Sequence, residues 1–198
     1  MNVWPTPASR LSDDFDQIAD VPGVYLVYVR NGIELLERSA YFELASPPPL
    51  ATPCGCLLYA GATGCSLRSR IRQHLSGDSR VSTIRRTTGA ILGTDLCLQA
   101  YLHRQSLHYG AGEDRLTRWL NENLLFDIRP TDDPFGTERV LLSTLTLPFN
   151  ITRRRNDPYS GHLMELREEA KAKAIYERRR RSGFFAPGDE TQPIAGGA

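Results

Sequence analysis

The chain has 198 residues, 40% of them hydrophobic, with 24 Lys/Arg against 23 Asp/Glu and a net charge of +1. That length suits one domain with extensions and a substantial buried core. Balanced charge removes any argument for a nucleic-acid or membrane partner from composition alone, so only local clustering can point to one, and no apolar run approaches the ~20 residues of a membrane helix.

Residues 1–20 read as a polar N-terminal extension with no charged-then-apolar leader. Within it Phe15 and Ile18 predict a helical turn or two. Val21-Pro22-Gly23 is a breaker, and the β-branched, aromatic and aliphatic run Val24–Val29 predicts a buried strand. Asn31-Gly32 is a turn dipeptide, residues 33–46 carry no decisive pattern, and residues 47–53, with four prolines, form a stiff polyproline-like connector. Residues 31–55 are therefore read as an insertion between two strands that are neighbours in one sheet. Cys54 and Cys56 are too close for the usual zinc-knuckle spacer and lack a paired His motif; with Cys65 and Cys97 they are expected to be free, buried thiols of a cytoplasmic protein.

The stretch Leu57–Leu75 organises the rest. An apolar strand leads into Tyr59 and Gly61, a short turn follows, and Ser66 caps a helix by accepting a free amide of its first turn. On that helix Leu67, Ile71 and Leu75 form the buried line. Arg70 and His74, four residues apart, share the adjacent line, and Arg68 and Arg72 form a third. Tyr59 and the Arg70–His74 pair are thus placed to look into one cleft, although the same cations also suit a solvated helix face. Ser76-Gly77-Asp78 ends the helix. Ser82 caps a second helix over Thr83–Leu92, which carries Arg85 and Arg86.

Tyr109–Gly112 reads as a flexible loop. Leu116, Trp119, Leu120 and Leu124 mark an amphipathic helix, and Phe126 and Ile128 a short half-buried strand. After the turn Asp132–Thr137, Glu138, Leu141, Leu142 and Leu145 share one helix face. A charge heading an apolar line is either a first-turn acid stabilised by the helix dipole or a desolvated carboxylate with a partner or a metal ion. Asn150, between Phe149 and Ile151, is expected to be buried and bonded to backbone or substrate. Residues 152–181 form a basic extension: the cluster Arg153, Arg154 and Arg155 precedes a polar helix from about Ser160 to Arg181, and residues 153–181 hold ten Lys/Arg against five acids. Residues 182–198, rich in Gly and Pro, are expected to be disordered.

Together these pieces resemble the GIY-YIG nuclease family over residues 21–151. Gly23-Val24-Tyr25 matches the first signature tripeptide and Tyr59-Ala60-Gly61 the second, with alanine at the middle position. Arg70, His74, Glu138 and Asn150 follow in the family's order. One departure is spacing, since Tyr25 and Tyr59 are 34 residues apart where roughly a dozen is usual.

The resemblance implies an α+β fold with a small three-stranded antiparallel sheet (about 23–29, 56–61 and 125–129) flanked by helices. It implies a Mg²⁺- or Mn²⁺-dependent endonuclease acting on DNA, with RNA also open. Tyr25, Tyr59, Arg70, His74, Glu138 and Asn150 are the implied site, with Glu138 holding the ion. One carboxylate suffices for a hydrated Mg²⁺, which keeps several waters and takes further contacts from phosphate. Arg70 is always charged and can fork onto phosphate oxygens. His74 or Tyr25 could relay a proton from water, and Tyr59 could orient water or phosphate. Arg68, Arg72, Arg85, Arg86, Arg153, Arg154 and Arg155 are candidate contacts to nucleic acid. The competing reading is a binding module that keeps the fold and the basic tail without cleavage; it predicts salt-sensitive binding and no turnover.

Overall fold

The computed structural model describes residues 5–30, 32–44, 49–151 and 157–182. In chain order the elements begin with β1 (Thr6–Pro7), α1 (Ala8–Asp13), β2 (Gly23–Val29), α2 (Gly32–Arg38), α3 (Tyr41–Leu44), β3 (Ala51–Thr52) and β4 (Gly55–Thr63). There follow α4 (Leu67–Leu75), α5 (Thr83–Ile91), β5 (Tyr101–His103), β6 (Ser106–His108), α6 (Glu113–Asn123), β7 (Leu124–Pro130), α7 (Pro134–Thr144) and α8 (Pro158–Arg181). Among these no helix is long and apolar enough to cross a membrane.

The three expected strands are β2, β4 and β7, and they form the centre of an antiparallel sheet ordered β1-β7-β2-β4-β3. The sheet has five strands rather than three. Its outer members are two residues each and come from the N-terminal extension and from the proline-rich connector. Neither has the length or the alternation by which a strand is recognised in a sequence. A separate hairpin joins β5 to β6.

Every residue of β2 is buried, because the strand is flanked on both edges and covered on both faces. Tyr25, Val27 and Val29 enter the main core with Leu67, Ile71 and Leu75 of α4 and Leu116 and Leu120 of α6. Leu26 and Tyr28 face the other way, where Leu141 and Leu142 of α7 and the following Leu145 cover them. The period-2 alternation of a strand assigns these two sides.

The insertion does not loop out as a whole. Leu35 and Leu36 of α2 and Tyr41 of α3 belong to the main core, and the Tyr41 ring meets Tyr159 of α8 edge-on at 4.6 Å. Ser39 and Tyr159 bond through their hydroxyls at 2.6 Å. The first half of α8 is thus docked on the domain, with Tyr159 and Leu163 buried. Of the four cysteines only Cys56 is buried, while Cys65 and Cys97 are exposed. The expected loop at Tyr109–Gly112 is a 3-10 turn over Gly110–Gly112 with Tyr109 buried. Asn31, residues 45–48, Arg153, Arg154, Arg155 and residues 183–198 lie outside the described residues.

Candidate active site

Two adjacent strands deliver the tyrosines. In the β2–β4 ladder Tyr25 pairs with Gly61 and Val27 with Tyr59, and then the register slips, leaving Leu58 as the extra residue of β4. Such a bulge breaks the alternation of sides and re-aims the side chains around it. Leu58 and Tyr59 both face the main core, whereas Leu57 and Ala60 face the smaller one. Tyr59 is therefore turned to the side of Tyr25, with ring centroids 6.2 Å apart. The signature glycines make room for this. A Cβ on Gly61 would sit 2.5 Å from Tyr25 Cζ and 2.9 Å from Tyr59 Cε1, and one on Gly23 would sit 2.5 Å from the Arg129 carbonyl oxygen and from Leu67 Cδ1.

Helix α4 brings the Arg–His pair. The Ser66 hydroxyl accepts the Ser69 amide at 3.0 Å and caps it. With Leu67, Ile71 and Leu75 fully buried, the next line of the helix carries His74 into the core as well. His74 Nε2 lies 2.7 Å from the Tyr25 hydroxyl and Nδ1 lies 2.7 Å from the Ser82 hydroxyl. Burial, then the charges of Arg70 and Arg85, hold its pKa well below the usual imidazole value, so the ring is neutral. A neutral imidazole has one donor and one acceptor, and the two hydroxyls meet both. Ser82 also caps α5 by accepting the Arg85 amide at 3.2 Å. The cap was legible in the sequence; the bond to His74 depends on packing.

Arg70 Nε donates to the Tyr25 hydroxyl at 3.2 Å, and Nη1 donates to Gln73 Oε1 at 2.9 Å and to the Val81 carbonyl at 3.3 Å. Burial opposes its charge, but the two tyrosine oxygens outweigh that, and its pKa is raised. Burial pushes the Tyr25 phenol well above its ordinary value; the neighbouring Tyr59 adds to the rise and Arg70 opposes it. Tyr59 is also raised, by burial first; Arg70 pulls it down and Glu138 pushes it up. Tyr25 is fully buried, whereas Tyr59 and Arg70 keep part of their surface in solvent. Tyr59 is the phenol at the opening and Tyr25 the one behind it.

Glu138 reaches this group from α7, close enough for its charge to act on Tyr59. The helix is capped by Asp133, whose carboxylate accepts the Gly136 amide at 2.9 Å, and its first turn holds no acid. Glu138 lies past that turn, so capping does not account for it. Its single carboxylate is hard oxygen chemistry, and the described residues hold no group of three or more His, Cys, Asp or Glu that could cage an ion. Such a donor set fits a hydrated Mg²⁺ or Mn²⁺ completed by waters and substrate, not a closed protein cage.

Asn150 is 7% exposed and bonded to backbone: Oδ1 accepts the Ala60 amide at 2.9 Å and Nδ2 donates to the Ala60 carbonyl at 2.8 Å. Phe149 adds an amide to the Leu58 carbonyl at 2.9 Å. Here β3 no longer flanks β4, and the side-chain amide stands in for a neighbouring strand, satisfying backbone groups that would otherwise be buried unpaired. Asn150 thereby holds the backbone between Tyr59 and Gly61.

The candidate nucleic-acid arginines divide. Arg85 is fully buried, ion-paired to Glu113 at 2.7 Å, and also donates to the His74 carbonyl at 3.1 Å and the Thr117 hydroxyl at 2.8 Å. It is a core residue and is removed from the proposed contact surface. The period of α5 that buries Arg85 leaves its neighbour Arg86 half-exposed. Arg68 donates to the Ile18 carbonyl at 3.0 Å and pairs with Asp16 at 3.3 Å, and Arg72 lies 5.0 Å over the Phe15 ring. Both hold the N-terminal segment on α4. A cavity of about 430 Å³ lies apart from the tyrosines, where Tyr101 and His108 face Ala174 and Arg178 of α8.

Residues 23–169 match the family model of the GIY-YIG catalytic domain. No curated protein and no solved structure gives a significant match. The family match covers most of the chain, and the signature tyrosines stand side by side with Arg70 and His74 around them. The chain belongs to the GIY-YIG nuclease family, through its catalytic domain.

Proposed function

We propose that the protein is a Mg²⁺-dependent endonuclease that hydrolyses phosphodiester bonds in DNA through a single-metal site. The observation that supports this reading most is that Arg70 and Glu138, 68 residues apart in sequence and on different helices, both act on the partly buried phenol of Tyr59. A cation for phosphate and a carboxylate for a divalent ion then act on one hydroxyl at the edge of the core.

The chemistry needs an activated water, neutralisation of charge at phosphorus and a stabilised leaving oxygen. Arg70 is held charged and its fork can take two phosphate oxygens. Tyr59, protonated at neutral pH, donates to the attacking water or to a phosphate oxygen and so orients it. As the water oxygen bonds to phosphorus, one ester P–O bond breaks, and the leaving alkoxide takes a proton from solvent. The attacking water gives up its proton to solvent, so the step is balanced by the proton the leaving alkoxide takes up, while Tyr25, His74 and Ser82, bonded in series behind Tyr59, hold the site in place. Glu138 would hold the Mg²⁺ or Mn²⁺, which supplies Lewis-acid stabilisation of the phosphate when bound.

The test is cleavage of supercoiled and linear duplex DNA with Mg²⁺ or Mn²⁺ by the wild type, Arg70→Ala and Glu138→Ala. Loss of one such electrostatic group is expected to cost about 10²–10³ in rate. If both variants cut as fast as the wild type, the assignment is wrong. If the wild type binds duplex and cuts none of the substrates, the binding-module reading replaces it.

A further inference from the structure

Helix α5 carries two consecutive arginines with opposite fates. Arg85 is neutralised by Glu113. Among the described residues Arg86 donates to neutral acceptors: Nη1 to the Arg80 carbonyl at 2.8 Å and the Ser79 carbonyl at 3.3 Å, and Nη2 to the Thr83 hydroxyl at 3.2 Å. Arg167 of α8 reaches the same turn, donating through Nη2 to the Thr83 carbonyl at 3.1 Å and to the Thr87 hydroxyl. Arg70 touches it from the third side, through the Val81 carbonyl. Three guanidinium groups from three helices are thus steered onto residues 79–87. Among the described residues none of the three has a carboxylate within ion-pair distance.

We propose that Arg86 and Arg167 form a second phosphate seat beside Arg70, gripping the backbone phosphate next to the scissile one on a bound nucleic-acid strand. This rests on the nuclease reading above and adds a residue from α8 to it. Like charges gathered without an ion pair repel, and partial burial makes that repulsion costly; on Arg167 the charge of Glu168 offsets less than Arg86 adds. The repulsion is visible: burial, then Arg70, lowers the pKa of Arg86, and burial, then Arg86, brings Arg167 down to about 10. Both remain charged at neutral pH. Their charges also act on Tyr59, which places them at the edge of the tyrosine cluster. The Arg167 Nε–H is buried without an acceptor among the described residues, an unfavourable state for a charged donor. An anion relieves the repulsion among the three guanidinium groups, and a phosphodiester matches the guanidinium fork. Family membership extends to residue 169, so Arg167 lies within the matched domain and not in an appended tail.

The experiment is fluorescence anisotropy with a fluorescein-labelled duplex of about two helical turns, without divalent ions, across 50–300 mM KCl. Wild type, Arg70→Ala, Arg86→Gln, Arg167→Met and Arg167→Lys are compared at full length, with melting temperatures measured alongside. Each of Arg86→Gln and Arg167→Met is expected to weaken binding by about tenfold at 100 mM salt and to reduce the slope of log K against log[KCl] by ~1, the signature of one lost phosphate contact. Arg167→Lys is expected to keep the slope. If Arg70→Ala weakens binding while Arg86→Gln and Arg167→Met leave affinity and slope unchanged, the second seat is refuted and the nuclease reading stands. If wild type binds neither duplex nor the corresponding single strand, both fall. A lower melting temperature with an unchanged slope shows that Arg167 only docks α8, and also refutes the seat.

Discussion

The Tyr25 hydroxyl and His74 Nε2 stand 2.7 Å apart, both on side chains with no solvent exposure. A polar pair this deep is tolerated because every member is bonded. Ser82 closes one end and Arg70 the other. The pair therefore serves both stability and the site, and substitutions within it are expected to separate the two.

Tyr25→Phe keeps the ring and removes the hydroxyl, leaving His74 Nε2 buried without a partner. A loss of about 1–3 kcal/mol in stability is expected, with cleavage reduced as well. Tyr59→Phe, at a position that keeps part of its surface in solvent, is expected to lose cleavage with a smaller loss of stability than Tyr25→Phe. Urea denaturation beside cleavage rates checks both. Equal stability losses in the two variants would contradict the placement of Tyr59 at the opening.

Stability is expected to fall on the acid side through His74. The ring is neutral when folded because burial and two arginines depress its pKa, while the unfolded chain takes up a proton near pH 6.5. The unfolded state then binds more protons, so the contribution of His74 is fully present above about pH 6.5 and is lost as pH falls below it. The melting temperature of the wild type between pH 8 and 5 should fall more steeply than that of His74→Gln. Parallel curves would refute the neutral ring. The other three histidines are common to both proteins and cancel in the comparison.

Glu113→Ala strands the guanidinium of Arg85, which has no exposed surface. Removing one partner of a buried pair costs about 3–5 kcal/mol, so a drop of roughly 10 °C in melting temperature is expected for a chain of this size. Differential scanning calorimetry measures it. An unchanged transition would return Arg85 to the set of solvent-facing arginines.

Gly61→Ala places a methyl group against the rings of Tyr25 and Tyr59. Overpacking of this kind costs about 1–3 kcal/mol. Because the displaced atoms are the two phenols, cleavage is expected to suffer far more than the stability loss accounts for. Gly93→Ala, in the turn after α5, where the Cβ would meet its nearest atom at 3.1 Å, serves as a glycine substitution away from the tyrosines.

Much of the molecule was legible in the amino-acid order, because local signals suffice for it. The apolar run of β2, the caps at Ser66 and Ser82 and the 3.6-residue period of α4 follow from residue type and spacing, and they carry Tyr25, Arg70 and His74. Four things only the tertiary structure decided. The edge strands Thr6–Pro7 and Ala51–Thr52 exist because a longer strand offers them a ladder, not because of their own propensity. Arg85 and Arg86 are alike as letters, and the helix phase relative to Glu113 buries one and leaves the other half-exposed. Arg167 has no motif of its own and acquires a role from the docking of α8 on α5. The bulge at Leu58 is the plainest case: strict alternation sets Leu58 and Tyr59 on opposite faces, and one unpaired residue, held by Phe149 and Asn150 from the free edge of β4, puts them on the same one. Periodicity is a property of neighbours in sequence, while the face on which a tyrosine meets its partners is set by what the far end of the chain hydrogen-bonds to.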